Sequence, residues 1–270
     1  MTNMNILAEL NSITDNGLIV PCHVPERTNV VSIIKYLQVT LMPGFFHFND
    51  LGQEAAFMQA QILLKQEIGA ALQFTGICDD CASEKVNAFV QKLPEIKTLI
   101  LSDMQAIYDG DPAAKTKAEV LLCYPGFYAI SIYRFAHALY TLNIPLLPRI
   151  MTEYAHEKTG IDINPGATIG DHFCIDHGTG IVIGETAVLG HHVKLYQGVT
   201  IGARSFDLDE NGFPVKSGKR HPNIGNHVVI YANATILGGD TFIGDNAVIG
   251  GNSWILSSVE PGKTVYYTSK

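Results

Sequence analysis

From Ile163 onward an aliphatic residue returns every six positions: Ile163, Ile169 and Ile175; Ile183, Leu189, Leu195 and Ile201; Ile224, Ile230 and Ile236; Ile243, Ile249 and Ile255. Gly often follows it, and a small residue often stands four places on. A period of six does not belong to a helix, whose 3.6 residues per turn would spread these side chains around the whole surface. The pattern predicts a solenoid instead. Each hexapeptide forms one short strand and a corner, three of them close a coil, and the aliphatic side chains stack inside the prism.

The preceding residues carry helical patterns. Residues 30–41 are apolar-rich and stop at Pro43-Gly44, and residues 50–74 form a long amphipathic run of good helix formers. Residues 83–108 predict a further helix, capped by Ser83 and interrupted at Pro94. Tyr124-Pro125-Gly126 is a break, residues 127–142 again show helical spacing, and Pro148 opens a last helix to about residue 158. The expected organisation is an α-helical N-terminal domain over 1–158 and a β-solenoid domain over 159–270.

The repeat slips by two residues across Asp176-His177-Gly178-Thr179-Gly180 and by one between Ile236 and Ile243. Residues 203–223 cannot be built into coils and are expected to leave the prism as a loop, whose end, Lys216-Ser217-Gly218-Lys219-Arg220-His221-Pro222, concentrates positive charge. A regular coil shows the same surface at every turn, so chemistry is expected where the regularity fails. His177 stands at the first slip beside an acidic residue and glycine, near the polar segment Gly184-Glu185-Thr186. A lone corner histidine is ordinarily structural. A hydroxyl nucleophile at neutral pH, however, needs a positioned base, and imidazole suits that task. The ring in turn needs a carboxylate to set its tautomer, for which Asp162 and Asp176 are both candidates.

Composition narrows the classes. The 270 residues suffice for one large domain or two ordinary ones. Charged residues make up 16%, below the usual quarter, which suggests surface covered by other subunits. A net charge of −8 argues against a broad nucleic-acid surface while leaving room for a local basic pocket. No run of 18 apolar residues occurs, so no membrane span is expected, and the N-terminus lacks a signal-peptide pattern, so a cytoplasmic location is expected. Five cysteines make no even framework and suit a reducing compartment. Cys78 and Cys81 form a C-x-x-C pair without further soft ligands, which predicts two surface or helix-end thiols.

Several segments in order resemble the serine O-acetyltransferases, built on a hexapeptide-repeat coil. They are Asp109-Gly110-Asp111-Pro112-Ala113, Tyr124-Pro125-Gly126-Phe127, Ile161-Asp162-Ile163-Asn164-Pro165, Asp176-His177-Gly178-Thr179-Gly180 running on to Ala187, Gln197-Gly198-Val199-Thr200-Ile201-Gly202 and Arg220-His221-Pro222. The likeness runs from residue 99 to 262, and the extended loop before Arg220 is similar to that of a longer-loop subgroup. It implies a left-handed parallel β-helix and acetyl transfer from acetyl-CoA to the L-serine hydroxyl, the first step of cysteine synthesis. It further implies His177 as base, Asp162 as its orienting residue, and serine contacts at Asp111, Asp176, Arg220 and His221, with Glu185 close by. Arg220 would pair the substrate carboxylate. Ala203, Ala232 and Gly251 match positions whose small side chains admit the pantetheine. No metal is expected, since a thioester is already reactive. A prism with three flat faces and an interrupting loop predicts a homotrimer about a threefold axis with sites at its seams, and the resemblance adds two alternatives for the helical half, free or joining two trimers into a hexamer, and feedback inhibition by L-cysteine.

Two departures stand out. Asn164 replaces the usual His of the V-D-I-H-P motif, and the usual tail is absent, the chain ending in Lys270 rather than isoleucine. A stable complex with O-acetylserine sulfhydrylase is therefore not expected. Competing readings are an acetyltransferase for sugars or antibiotics, a solenoid zinc carbonic anhydrase using His172, His177 and His137, and a scaffold whose site has decayed. The intact set of candidate residues argues against the last.

Overall fold

The structure, a computed structural model, describes Ile6, Leu10 and residues 24–76, 81–205, 208–215 and 218–266. Cys22, Cys78, Lys216, Ser217 and the final four residues, to which some expectations refer, lie outside them.

Across residues 24–159 the described helices are α1 (Arg27–Leu41), α2 (Gln53–Phe74), α3 (Ala82–Gly110), α4 (Lys117–Cys123), α5 (Pro125–Thr141) and α6 (Leu147–Thr159). The interruption expected at Pro94 does not occur, because α3 runs through it. Leu93 and Ile96 on either side are buried, and packing of that face outweighs the roughly 3 kcal/mol an internal proline costs. Ser83 is not the cap either; the helix opens one residue earlier, after Cys81, with no side-chain cap. Helix α4 went unforeseen although its signal is present. The Thr116 hydroxyl accepts the Glu119 N–H, and the Glu119 carboxylate accepts the Lys115 N–H, close to a capping box.

The solenoid follows. Its coils are β1 (Asp162–Ile163), β2 (Thr168–Ile169) and β3 (Cys174–Asp176); β4 (Val182–Ile183), β5 (Val188–Leu189) and β6 (Lys194–Tyr196); β7 (Thr200–Gly202), β8 (Asn223–Ile224) and β9 (Val229–Ile230); β10 (Thr235–Leu237), β11 (Phe242–Ile243) and β12 (Val248–Ile249); then β13 (Trp254–Ile255) and β14 (Thr264–Val265). Three parallel sheets result: the first is β1-β4-β7-β10-β13, the second β2-β5-β8-β11 and the third β3-β6-β9-β12-β14. The six-residue period is the register itself. Ile163, Ile183, Ile201, Ile236 and Ile255 stack inside the first sheet. Ile169, Leu189, Ile224 and Ile243 do so in the second, and Ile175, Leu195, Ile230, Ile249 and Val265 in the third.

Three edges separate the sheets and organise everything below. The first edge joins the first sheet to the second, the second edge joins the second to the third, and the third edge returns from the third sheet to the first. Between β7 and β8 the chain departs from the coil, and the segment holds an isolated antiparallel bridge between Leu208 and Pro214.

The helices dock on the first coil through a buried ion pair. Arg134 Nε and Nη2 donate to the two Asp103 carboxylate oxygens at 2.9 Å, and its remaining N–H groups reach the Ile169 and Gly170 carbonyls. Asp103 also accepts the Phe173 N–H. Gly126, at the start of α5, lies so close to β3 that a Cβ there would stand 2.6 Å from the Ile175 carbonyl oxygen.

Candidate active site

The two-residue slip after β3 alters the third edge. In later coils the left-handed corner residue sits three places after the buried aliphatic, as at Gly198, Asn233 and Asn252. In the first coil His177 and Gly178 both take positive φ, and Gly180 follows. Two consecutive left-handed residues push His177 out of the repeat. Its side chain is 72% exposed, with Nε2 3.8 Å from Asp176 Oδ1.

Asp176 is itself held by Lys194, whose Nζ lies 3.2 Å from Oδ2 and donates to the Gly110 carbonyl at 2.7 Å. The neighbouring Asp111 accepts from the Tyr124 hydroxyl at 2.7 Å and from the Ala113 N–H at 2.8 Å. These two bonds, with Lys194 and His177 nearby, hold its carboxyl below the usual range. Asp111, Tyr124, Asp176, His177 and Lys194 thus form one cluster at the third edge, contributed by the end of α3, the start of α5 and the first two coils. Asp162 is on β1, and no hydrogen bond or ion pair joins it to His177 among the described residues. Its carboxylate lies instead within 4.8 Å of ligand atoms of Glu153 and His156 on α6.

A second cluster sits at the first edge. Arg220 pairs with Glu185, which also accepts from the Tyr140 hydroxyl at 3.2 Å. His221 is 7% exposed, and its Nδ1 accepts the Thr186 N–H at 3.1 Å. That bond places the ring proton on Nε2. The Thr186 hydroxyl further accepts the backbone N–H of Arg220 and His221, returning the loop end to the coil.

Burial, followed by the Arg220 and Lys219 charges, pushes the His221 imidazole down to about 4. Below the ordinary value of 6.5 the unfolded chain takes up a proton that the folded chain refuses until about 4. Stability is therefore lost as pH falls through that window, by about 3 kcal/mol in all. Urea titrations between neutral and acid pH should show this loss in the native chain and a shallower one in His221→Gln; parallel curves would exclude it.

The ring rests on Gly184, where a Cβ would stand 2.0 Å from His221 Cδ2. Gly184→Ala should therefore displace the imidazole, lower stability by about 1–3 kcal/mol and reduce kcat/KM at least tenfold. Melting and steady-state assays on that variant check it, and unchanged kinetics would refute it.

The small residues divide in the same way. Ala203 follows β7 on the first edge, whereas Ala232 and Gly251 follow β9 and β12 on the third, stacked so that a Cβ on Gly251 would meet the Ala232 carbonyl at 3.1 Å. No hydrogen bond or ion pair links the two clusters among the described residues. Nor does one chain bring His172, His177 and His137 together: His172 and His177 sit at opposite ends of β3, and His137 Nδ1 lies 2.8 Å from the Pro165 carbonyl. Lys194 and Tyr140 were not anticipated. Their contacts span 84 and 45 residues, which no local pattern announces.

Comparison with known proteins places the chain among relatives of one kind. The serine acetyltransferase N-terminal family model matches residues 54–131. A plasmid-encoded serine acetyltransferase of Synechococcus elongatus is 55% identical over 259 residues, covering 89% of this chain and 81% of that one. The structure of Entamoeba histolytica serine acetyltransferase 1 in complex with L-cysteine aligns with a TM-score of 0.79 at 37% identity, over 87% of this chain and 86% of that one. Neisseria gonorrhoeae serine acetyltransferase in complex with serine aligns with a TM-score of 0.60 at 30% identity, over 88% and 95% of the two chains. At such identity and coverage, and with a helical half and a coil that align with these structures, the chain belongs to the serine acetyltransferase family.

Proposed function

We propose that this chain transfers the acetyl group of acetyl-CoA to the hydroxyl of L-serine, giving O-acetyl-L-serine and free CoA. His177 takes the hydroxyl proton as the serine oxygen attacks the thioester carbonyl. The tetrahedral intermediate then expels the thiolate, which receives the proton back from the imidazolium. Asp176 stands beside the ring and balances its charge. The orienting role proposed for Asp162 requires the exposed ring to turn toward β1 when substrates bind, and catalytic hydrogen bonds do tighten at that stage. Arg220, steadied by Glu185 and Tyr140, pairs the serine carboxylate, and the neutral His221 offers its Nε2–H to a substrate oxygen. Asp111 is a fixed anion suited to the serine ammonium. Ala203, Ala232 and Gly251 leave room for the pantetheine arm.

The observation that carries this reading is the division of the site. The base and its carboxylates stand on the third edge, the guanidinium and neutral imidazole on the first, and the three small residues divide likewise. A threefold arrangement of prisms around the first sheet sets the third edge of one copy against the first edge of the next. Exposed apolar residues adjoin both edges, Val182 and Trp254 next to the third and Val188 and Phe242 next to the first, and a seam between two copies would cover them. We therefore propose a homotrimer with sites between subunits. L-cysteine, which differs from serine only in its thiol, would occupy the same contacts and inhibit.

Complementation tests both parts. His177→Asn and Arg220→Ala should each be inactive with serine and acetyl-CoA. Unfolded and refolded together in equal amounts, they should recover about a quarter of native activity, the share of seams with both intact edges. Recovery of none would place the whole site within one chain. Homoserine and sugars as acceptors, run beside serine, test the acceptor.

A further inference from the structure

The second edge takes no part in the reaction just described, yet it gathers four of the ten histidines of the chain: His172, His191, His192 and His227. The corner of each coil there needs a residue at ease with φ near +55°, and Asn246 fills that place in the fourth coil at φ 61°. In the first three coils histidine takes it, at φ 53°, 55° and 56° for His172, His192 and His227. Because successive coils are in register, the rings form a column, with centroids 4.2 Å apart between His172 and His192 and 4.7 Å between His192 and His227.

Corner geometry accounts for a histidine at each of these places but not for the group around the lower end of the column. Asp171 Oδ1 lies 2.6 Å from His191 Nδ1 and 3.4 Å from His172 Nδ1. His172 Nδ1 is nevertheless buried without a hydrogen bond, a polar atom left wanting a partner. One ligand atom each from Asp171, His172 and His192 lie within 4.8 Å of one another.

We propose that Asp171, His172 and His192 bind a divalent first-row transition metal, Zn²⁺ being the natural test ion. Two imidazoles and a carboxylate are a common donor set for such ions, whose bonds of about 2.0–2.2 Å place tetrahedral ligand atoms roughly 3.4 Å apart. Side-chain rotation would close the present separation, 4.8 Å or less, to that spacing. His191, donating to Asp171, supplies the outer hydrogen bond that orients a ligating carboxylate. The ion would fasten the first coil to the second, since His172 belongs to one and His192 to the other.

Isothermal titration of the full chain with Zn²⁺ at neutral pH tests this without any turnover. One ion per chain should bind in the micromolar range or tighter, and His192→Asn and Asp171→Asn should each weaken binding at least tenfold. Asparagine suits the corner backbone, so His192→Asn should fold normally, which circular dichroism checks. His177→Asn, at the opposite edge, should bind like the native chain. Absence of micromolar binding, or binding unchanged in His192→Asn, would overturn the assignment. Co²⁺ bound at the site should show tetrahedral visible absorption that His192→Asn abolishes; a spectrum equal in both would overturn it as well.

Discussion

His177→Asn should lower serine-dependent turnover by about 10²–10⁴-fold while leaving the melting temperature near its native value. The side chain is 72% exposed and comes no closer than 3.8 Å to Asp176, so little folding energy rests on it. Asparagine is the informative replacement because it accepts the positive φ of 59°, whereas alanine would add backbone strain of about 1–2 kcal/mol to the loss of the base. The supporting carboxylates separate by the same assay. If the imidazolium leans on Asp176, Asp176→Asn lowers kcat strongly and Asp162→Asn only slightly; if the ring turns to β1 in the complex, the order reverses. A His177→Asn variant retaining a tenth or more of native kcat would remove the residue from the mechanism.

Arg134→Met should destabilise the chain by about 3–5 kcal/mol, the cost of leaving a buried charge unpaired. Asp103 has 0% exposure and would face no cation, and the Ile169 and Gly170 carbonyls would lose their donor. The damage should concentrate where the helices meet the first coil, the joint that carries Asp111 and Tyr124 to Asp176. Adding Asp103→Leu should restore much of the loss, because an apolar pair of similar volume often replaces a buried ion pair at little cost. Urea denaturation of both single variants and the double variant measures the coupling. A loss below about 1 kcal/mol in Arg134→Met would show that the pair adds nothing to the docking.

The coil was legible because a parallel solenoid is close to a one-dimensional object. Its register equals its sequence period, so Ile163, Ile183 and Ile201 announce their own stacking. The slip at His177 was visible for the same reason, since any change of phase in a regular pattern marks a place where the chain does something else. Helix boundaries were less exact. Pro94 reads as a break in the sequence because local cost is all that a residue type expresses, whereas the burial that outweighs it comes from other elements.

Residue types and spacing by themselves determined the helical half, the prism, its interior column and the irregular points that hold Asp176, His177, Arg220 and His221. Only the tertiary structure decided how these points relate. It set His177 and Arg220 on different edges, joined Lys194 to Gly110 and Tyr140 to Glu185 across long separations, and turned three corner histidines into a column. The reason is physical. A repeat dictates which side chains lie above one another along an edge, but which edge faces which, and what the helices press against it, depends on packing between segments that carry no shared period.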